Sequence, residues 1–262
     1  MFRLYFAWLK LALLSQAQYR TALFIWLLHR LIEPLIYLTI WSAVAQSNGG
    51  SVGDYGIDCF SSYYIAGLVV SHLTYTWHIG WYDYLIRSGE LSELLLRPVH
   101  PIHGDIVDNL ASKLLTVLVM LPTIAGLMII YQVRFRWSYW LFFLIAVSLA
   151  FALRFTLEYL IGLLAFWTTR LTSISKFYYT AMTFFSGQLA PLPLLPSFLQ
   201  NLALWLPFYW MFGFPIEVLI GQADHHEMLC GFAMQLALIL CNAIGICFLW
   251  ERGTQRYTAA GN

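Results

Sequence analysis

Long apolar runs separated by short polar joints set the character of this chain. Six runs stand out, at roughly 21–46, 61–86, 106–131, 138–169, 173–190 and 227–250. Each is near or above the ~20 residues that a helix needs to cross a bilayer at 1.5 Å per residue. The fifth is the shortest and runs into prolines. Ahead of the first, MFRLYFAWLKLALLSQAQYR carries Leu4, Ala7, Trp8, Leu11 and Leu14 at helical spacing, bordered by Arg3, Lys10 and Arg20. That pattern predicts a helix over 1–20 lying in the cytoplasmic interface, with no secretory cleavage pattern. No repeat, no low-complexity stretch and no connection long enough to hold a soluble domain interrupts the series. The expected fold is therefore an all-α polytopic membrane protein, with 1–262 forming a single transmembrane domain.

Composition agrees with lipid as the main solvent. Hydrophobic residues make up 60% of the chain and charged residues 10%, too few charges to cover a soluble surface. A soluble enzyme, a nucleic-acid binder and a disordered chain are all disfavoured. Fourteen Lys and Arg against thirteen Asp and Glu leave a net charge of +1, so no bulk field calls for a polyanionic partner. With the N-terminus inside, Arg3, Lys10, Arg20, Arg87, Arg97, Lys113, Arg170, Lys176, Arg252 and Arg256 fall on or near the cytoplasmic side. Only Arg134 and Arg136 fall outside, so both termini are expected in the cytoplasm of a cell with the chain in its plasma (inner) membrane. The glycine-rich stretch 47–58 is then a flexible outer turn. Cys59, Cys230, Cys241 and Cys247 read as small apolar fillers rather than a disulfide framework.

Catalytic patterns do not appear. A Walker A loop needs Lys followed by Ser or Thr, but the three lysines precede Leu11, Leu114 and Phe177. If ATP drives this protein, ATP and Mg bind another chain, and no cofactor is expected in this one. His72 and His78 are six apart, His225 and His226 adjacent, and His100 and His103 flank a turn at Pro101. None makes a metal-binding spacing, and neither HExxH, CxxC nor GxSxG occurs.

Three features carry information. The link Arg87–Pro101 predicts a short surface helix, with Ser88 as N-cap, Leu91, Leu94 and Leu95 on one apolar face, Glu90, Glu93 and Arg97 elsewhere, and Pro98 and Pro101 as stops. It reads as a docking helix for a cytoplasmic partner, or as a helix packed on the protein's own spans. The segment Gly187–Gln222 contains Glu217 as its only charge and is broken by Pro191, Pro193 and Pro196. Ser197 caps an expected helix from about 198 to 206 ending at Pro207, and a second runs from near Pro215 to about Gly221. Both are too short to span and too apolar for water, which points to a re-entrant hairpin in the outer leaflet. The third feature is charge inside spans. Arg30 and Glu33 lie in the first, Arg154 and Glu158 in the fourth, where insertion costs about 2.5–3.5 kcal/mol per charge. Their depths match within about one turn, which predicts Glu33 with Arg154, or Arg30 with Glu158, across the two spans. Pairing of Arg154 with Glu158 at i, i+4 is the rival.

At these residues the sequence resembles the type-2 ABC exporter permeases, and more narrowly a bacterial branch of unassigned substrate. SGELSELLLRPVHPI (88–102), GLLAFWTTR (162–170) and SGQLAPLPLLPSFLQNLALWLPF (186–208) carry the likeness, which extends over nearly the whole chain. Where that branch often has an acidic residue after the AFWT stretch, Thr169 and Arg170 stand here. The resemblance implies a permease dimer, of identical or paralogous halves, carrying two ATP-binding subunits. Glu90, Leu91, Glu93, Leu94, Leu95 and Arg97 would belong to a coupling helix over 88–97, seated in a groove of the nucleotide-binding subunit. Gly187, Pro191, Pro193, Pro196, Pro207 and Pro215 would belong to an outer gate over 187–221. Substrates in the wider family include lipids, lipid-linked glycans, drugs and peptides. An ATP-independent channel or secondary transporter using Arg30, Glu33, Arg154 and Glu158 is the alternative, and a membrane-embedded enzyme a more distant one.

Overall fold

The computed structural model describes residues 2–18, 20–133 and 135–257; within these the side chains of 2, 20–24 and 26–30 are not described. The described chain is helical nearly throughout. Helix α1 (Phe2–Gln18) lies along α6 (Ile102–Ile130), and α2 (Arg20–Ser47) packs on α3 (Ile57–Thr74). Helices α4 (His78–Ser88) and α5 (Leu91–Leu95) lead into α6. Then come α7 (Trp140–Leu163), α8 (Thr172–Phe185), α9 (Ser197–Trp205), α10 (Pro207–Met211), α11 (Gly213–Ile220) and α12 (His225–Arg256). Three stretches among the described residues are long and apolar enough to cross a membrane: Ile102–Ile130, Trp137–Phe166 and His225–Arg256.

Helix α7 is the hub, with α3, α4, α10, α11 and α12 against it. Phe143, Ala146, Ala150 and Leu153 recur at helical spacing on its buried face, and Tyr159 continues the core. Helix α12 presents the opposite pattern. Leu229, Leu236, Leu240, Ile244 and Phe248 form an exposed stripe, as expected of a helix bathed in hydrocarbon. Its start is fixed by a reciprocal cap: Asp224 accepts the Glu227 N–H at 2.7 Å while Glu227 accepts the Asp224 N–H at 2.8 Å. Gln235, buried within α12, donates to the carbonyls of Ala146 and Trp210 and so ties α7 to α10.

The structure amends the sequence expectations in four places. The run 61–86 is not one helix: Tyr75–Trp77 separate α3 from α4. No proline or glycine causes this break. The Lys113 ammonium donates to the Tyr75 carbonyl at 2.8 Å, supplying a partner that the interrupted helix lacks. The run 173–190 yields only the 14-residue α8 before the chain turns. The expected flexible outer turn contains a small antiparallel hairpin, β1 (Ser51–Val52) with β2 (Tyr55–Gly56), Val52 opposite Tyr55. Gly53 at φ +57 supplies the left-handed residue that opens a two-residue turn. Finally, Ser197 is the first residue of α9 without a side-chain capping bond, and Pro207 opens α10 as well as following α9. The second predicted helix of that segment corresponds to α11, and α10 is an additional turn between it and α9.

Candidate functional site

The link between α4 and α6 is built from a shorter helix than its pattern predicts. Ser88 closes α4 rather than capping α5, and α5 spans only Leu91–Leu95. The Ser88 hydroxyl oxygen still accepts the Glu90 N–H, at 3.4 Å. The leucines divide: Leu91 is fully buried and Leu94 half-buried, whereas Leu95 and Leu96 are exposed, Leu96 at 88%. Glu90, Glu93 and Arg97 surround them at the surface. Glu90 receives the Tyr84 hydroxyl. One leucine therefore anchors the link on the protein, and two face outward among charges. His100 follows, its ring tilted 50° against Trp250 with centroids 4.2 Å apart and its Nδ1 accepting the Ile102 N–H at 3.2 Å.

Asp83 is a functional candidate that sequence reasoning passed over. It pairs with Arg87 at 3.1 Å on its own helix, and its second oxygen accepts the N–H of Leu171 at 3.1 Å, at the start of α8. The i, i+4 spacing to Arg87 was the available signal. Between α1, α4, the link and α6 lies a cavity of about 290 Å³, lined by Trp8, Leu11, Trp81, Arg97, His100 and Asp105 among others.

Inside the bundle the charges pair differently from the cross-span expectation. The Arg154 Nε donates to Glu158 Oε1 at 3.0 Å, one turn along α7, and Tyr178 of α8 donates to the same oxygen at 3.2 Å. Arg154 and Glu158 are both buried. Glu33 instead is exposed and, among the described residues, receives a long bond from Tyr37, at 3.4 Å. The Glu33–Arg154 pair is thus not formed: matched depth does not ensure facing sides, and Glu158 is already within reach of Arg154 on its own helix. The Arg30 side chain lies outside the described residues, so its pairing with Glu158 does too. Lys113 is a further cation at depth, over the Phe151 ring at 4.2 Å as well as on Tyr75.

The opposite end is closed by buried donors. Tyr63 donates its hydroxyl to the Gly187 carbonyl at 2.9 Å. Tyr64 and the Trp41 indole both donate to the Leu189 carbonyl, at 3.1 and 2.9 Å. Three aromatic donors from α2 and α3 thereby hold the chain as it leaves α8. Gly187 sits at φ +90, and a Cβ there would meet the Tyr63 hydroxyl at 2.5 Å, so conformation and space both require glycine. Beyond it Pro191 is buried, while Pro193 and Pro196 are exposed. Gln200 of α9 donates to the carbonyls of Pro193 and Leu195 and braces this proline stretch. Phe208, Tyr209, Trp210, Met211, Phe214 and Pro215 are buried. The Glu217 carboxylate accepts the Tyr209 hydroxyl at 2.6 Å. Backbone polar groups of this apolar segment are thus satisfied within protein, which is what membrane depth demands.

A 231-residue stretch decides the family. Residues 31–261 match the family model described as ABC-2 family transporter protein. The chain belongs to the ABC-2 transporter family. No curated protein matches it. As an ABC-2 permease it is a membrane-embedded component of an ABC transporter, a class that associates with ABC ATP-binding subunits. The matched region takes in the link, the Arg154–Glu158 pair and the aromatic donors around Gly187, and leaves out α1.

Proposed function

We propose that this ABC-2 permease is the transmembrane half of an ATP-driven exporter, working as a dimer in the plasma (inner) membrane with two ATP-binding subunits beneath it. The chain would cross six times, through α2, α3 with α4, α6, α7, α8 and α12, with both termini cytoplasmic. ATP and Mg would bind the partner subunits. Closure of those subunits would press on α5, and the shift would free the outer hairpin from its aromatic donors. The cargo would be amphipathic or hydrophobic: a lipid, lipid-linked glycan, drug or peptide.

The observation that supports this reading best is the split at the link. Leu91 is buried in the permease, while Leu95 and Leu96 stand exposed between Glu90, Glu93 and Arg97. An apolar pair with a charged rim has the composition of an interface centre. The rival channel reading loses support because Arg154 and Glu158 are buried and paired with one another inside α7. The test is the Glu90→Lys/Glu93→Lys variant, reconstituted with the co-expressed ATP-binding subunit. Assembly and permease stability should persist, while transport per ATP hydrolysed falls at least tenfold. Unchanged transport in the assembled complex would defeat the coupling role.

A further inference from the structure

Among the described residues, Glu33 is an exposed carboxylate of α2 with no cation partner. It stands 13 residues along α2, about 20 Å from the helix start at 1.5 Å per residue. It borders a groove of about 450 Å³ together with Ile32, Ile36, Tyr37, Ser71 and Gln188. Glu33 is the only charged side chain lining that groove among the described residues. Its one recorded bond, from Tyr37 at 3.4 Å, is long for O–H···O. A bare carboxylate turned to hydrocarbon is costly on insertion scales. The groove therefore favours an occupant that brings positive charge.

The lining narrows the class of that occupant. A hard metal ion needs several oxygen ligands around it, and the groove offers one carboxylate. The lining isoleucines, Ile32 and Ile36, and the Tyr37 ring beside the carboxylate suit an apolar body carrying a delocalised or alkylated cation. The volume lies in the range of sites for drug-sized molecules. Resting on the permease function proposed above, we infer that the α2–α3 groove is a recognition site for a hydrophobic organic cation, with Glu33 as its counter-ion. The groove reaches the gate directly. Gln188, which lines it, lies between the Gly187 and Leu189 carbonyls that the three aromatic donors hold. An occupant touching Gln188 thus touches the segment whose release opens the outer end.

The test uses tetraphenylphosphonium and tetraphenylborate, two probes of nearly equal size and opposite charge. Binding of each is measured to the purified full-length permease in nanodiscs, against empty nanodiscs. Wild type should bind the cation at least tenfold more tightly than the anion, after subtraction of lipid partitioning. Glu33→Gln should abolish that preference, and Glu33→Asp should retain part of it. Arg30→Ala, which removes the neighbouring cation one turn away in sequence, should leave or increase the preference. Equal binding of both probes by wild type, or an undiminished preference in Glu33→Gln, would overturn the site. These measurements need no ATP-binding subunit, so failure of the exporter reading is seen separately, as loss of coupled transport with cation binding intact.

Discussion

The two ends of the bundle are built on opposite terms. Around Gly187 and Leu189, the hairpin end commits Trp41, Tyr63 and Tyr64 to two carbonyls and buries Phe208, Trp210, Phe212 and Phe214 behind them. The link end anchors itself through Leu91 and leaves Leu95, Leu96, Glu90 and Glu93 turned outward. One end holds its backbone carbonyls with buried aromatic donors, and the other exposes apolar and charged groups together. The contrast teaches which end is held by bonds within the permease and which presents an open surface. It also assigns different penalties to mutation: stability at the hairpin, association at the link.

Breaking that contrast begins with Gly187→Val. A side chain at φ +90 carries strain of about 1–3 kcal/mol, to which collision with the Tyr63 hydroxyl adds. A clear drop in the midpoint of thermal unfolding in detergent is expected; an unchanged midpoint would mean that the hairpin is not tightly held. Tyr63→Phe is milder, since it removes one donor and leaves a buried carbonyl unpaired, at about 1–3 kcal/mol. The same melt should register it, and ATP-driven transport should become leaky to small solutes. At the link, Leu95→Ser/Leu96→Ser should change stability by no more than about 0.5 kcal/mol. Co-purification with the ATP-binding subunit should nevertheless fall severalfold, and retention of full association would erase the distinction between the ends.

The smallest effect concerns pH. His100 accepts the Ile102 N–H through Nδ1, which requires the unprotonated ring. Burial, with His103 nearby, holds its pKa below the ordinary histidine value. The unfolded chain therefore takes up the proton first as pH falls through about 6.5. The stabilising contribution is present above that pH and is lost on descent toward the depressed folded value. A melting midpoint flat from pH 8 to 7 and declining below 6.5 is expected, with a shallower decline in His100→Ala.

Much of this architecture is legible in the order of residues because it depends on local pattern. Apolar length marks α6, α7 and α12, proline punctuation brackets α9, and the leucine spacing of 91–95 marks a helix at the link. What depends on facing sides is not legible. Residue counting gives Glu33 and Arg154 similar depths, but counting along a helix does not fix which side chains face each other in space. The break at Tyr75–Trp77 carries no local breaker, because its partner is Lys113, 38 residues away. The aromatic donors on Gly187 and Leu189 come from α2 and α3, more than 120 residues earlier. Ser88 illustrates a subtler miss: its residue type suits a helix start, yet α4 runs through it.

The Asp83 bond to the Leu171 N–H has a mechanical consequence. It joins α4, which carries the link, to the first turn of α8, whose other end enters Gly187. Fourteen residues make α8 a rod about 21 Å long, stiff along its axis because every turn is hydrogen-bonded to the next. Through that one bond, α4 and the three aromatic donors stand at opposite ends of a single short helix.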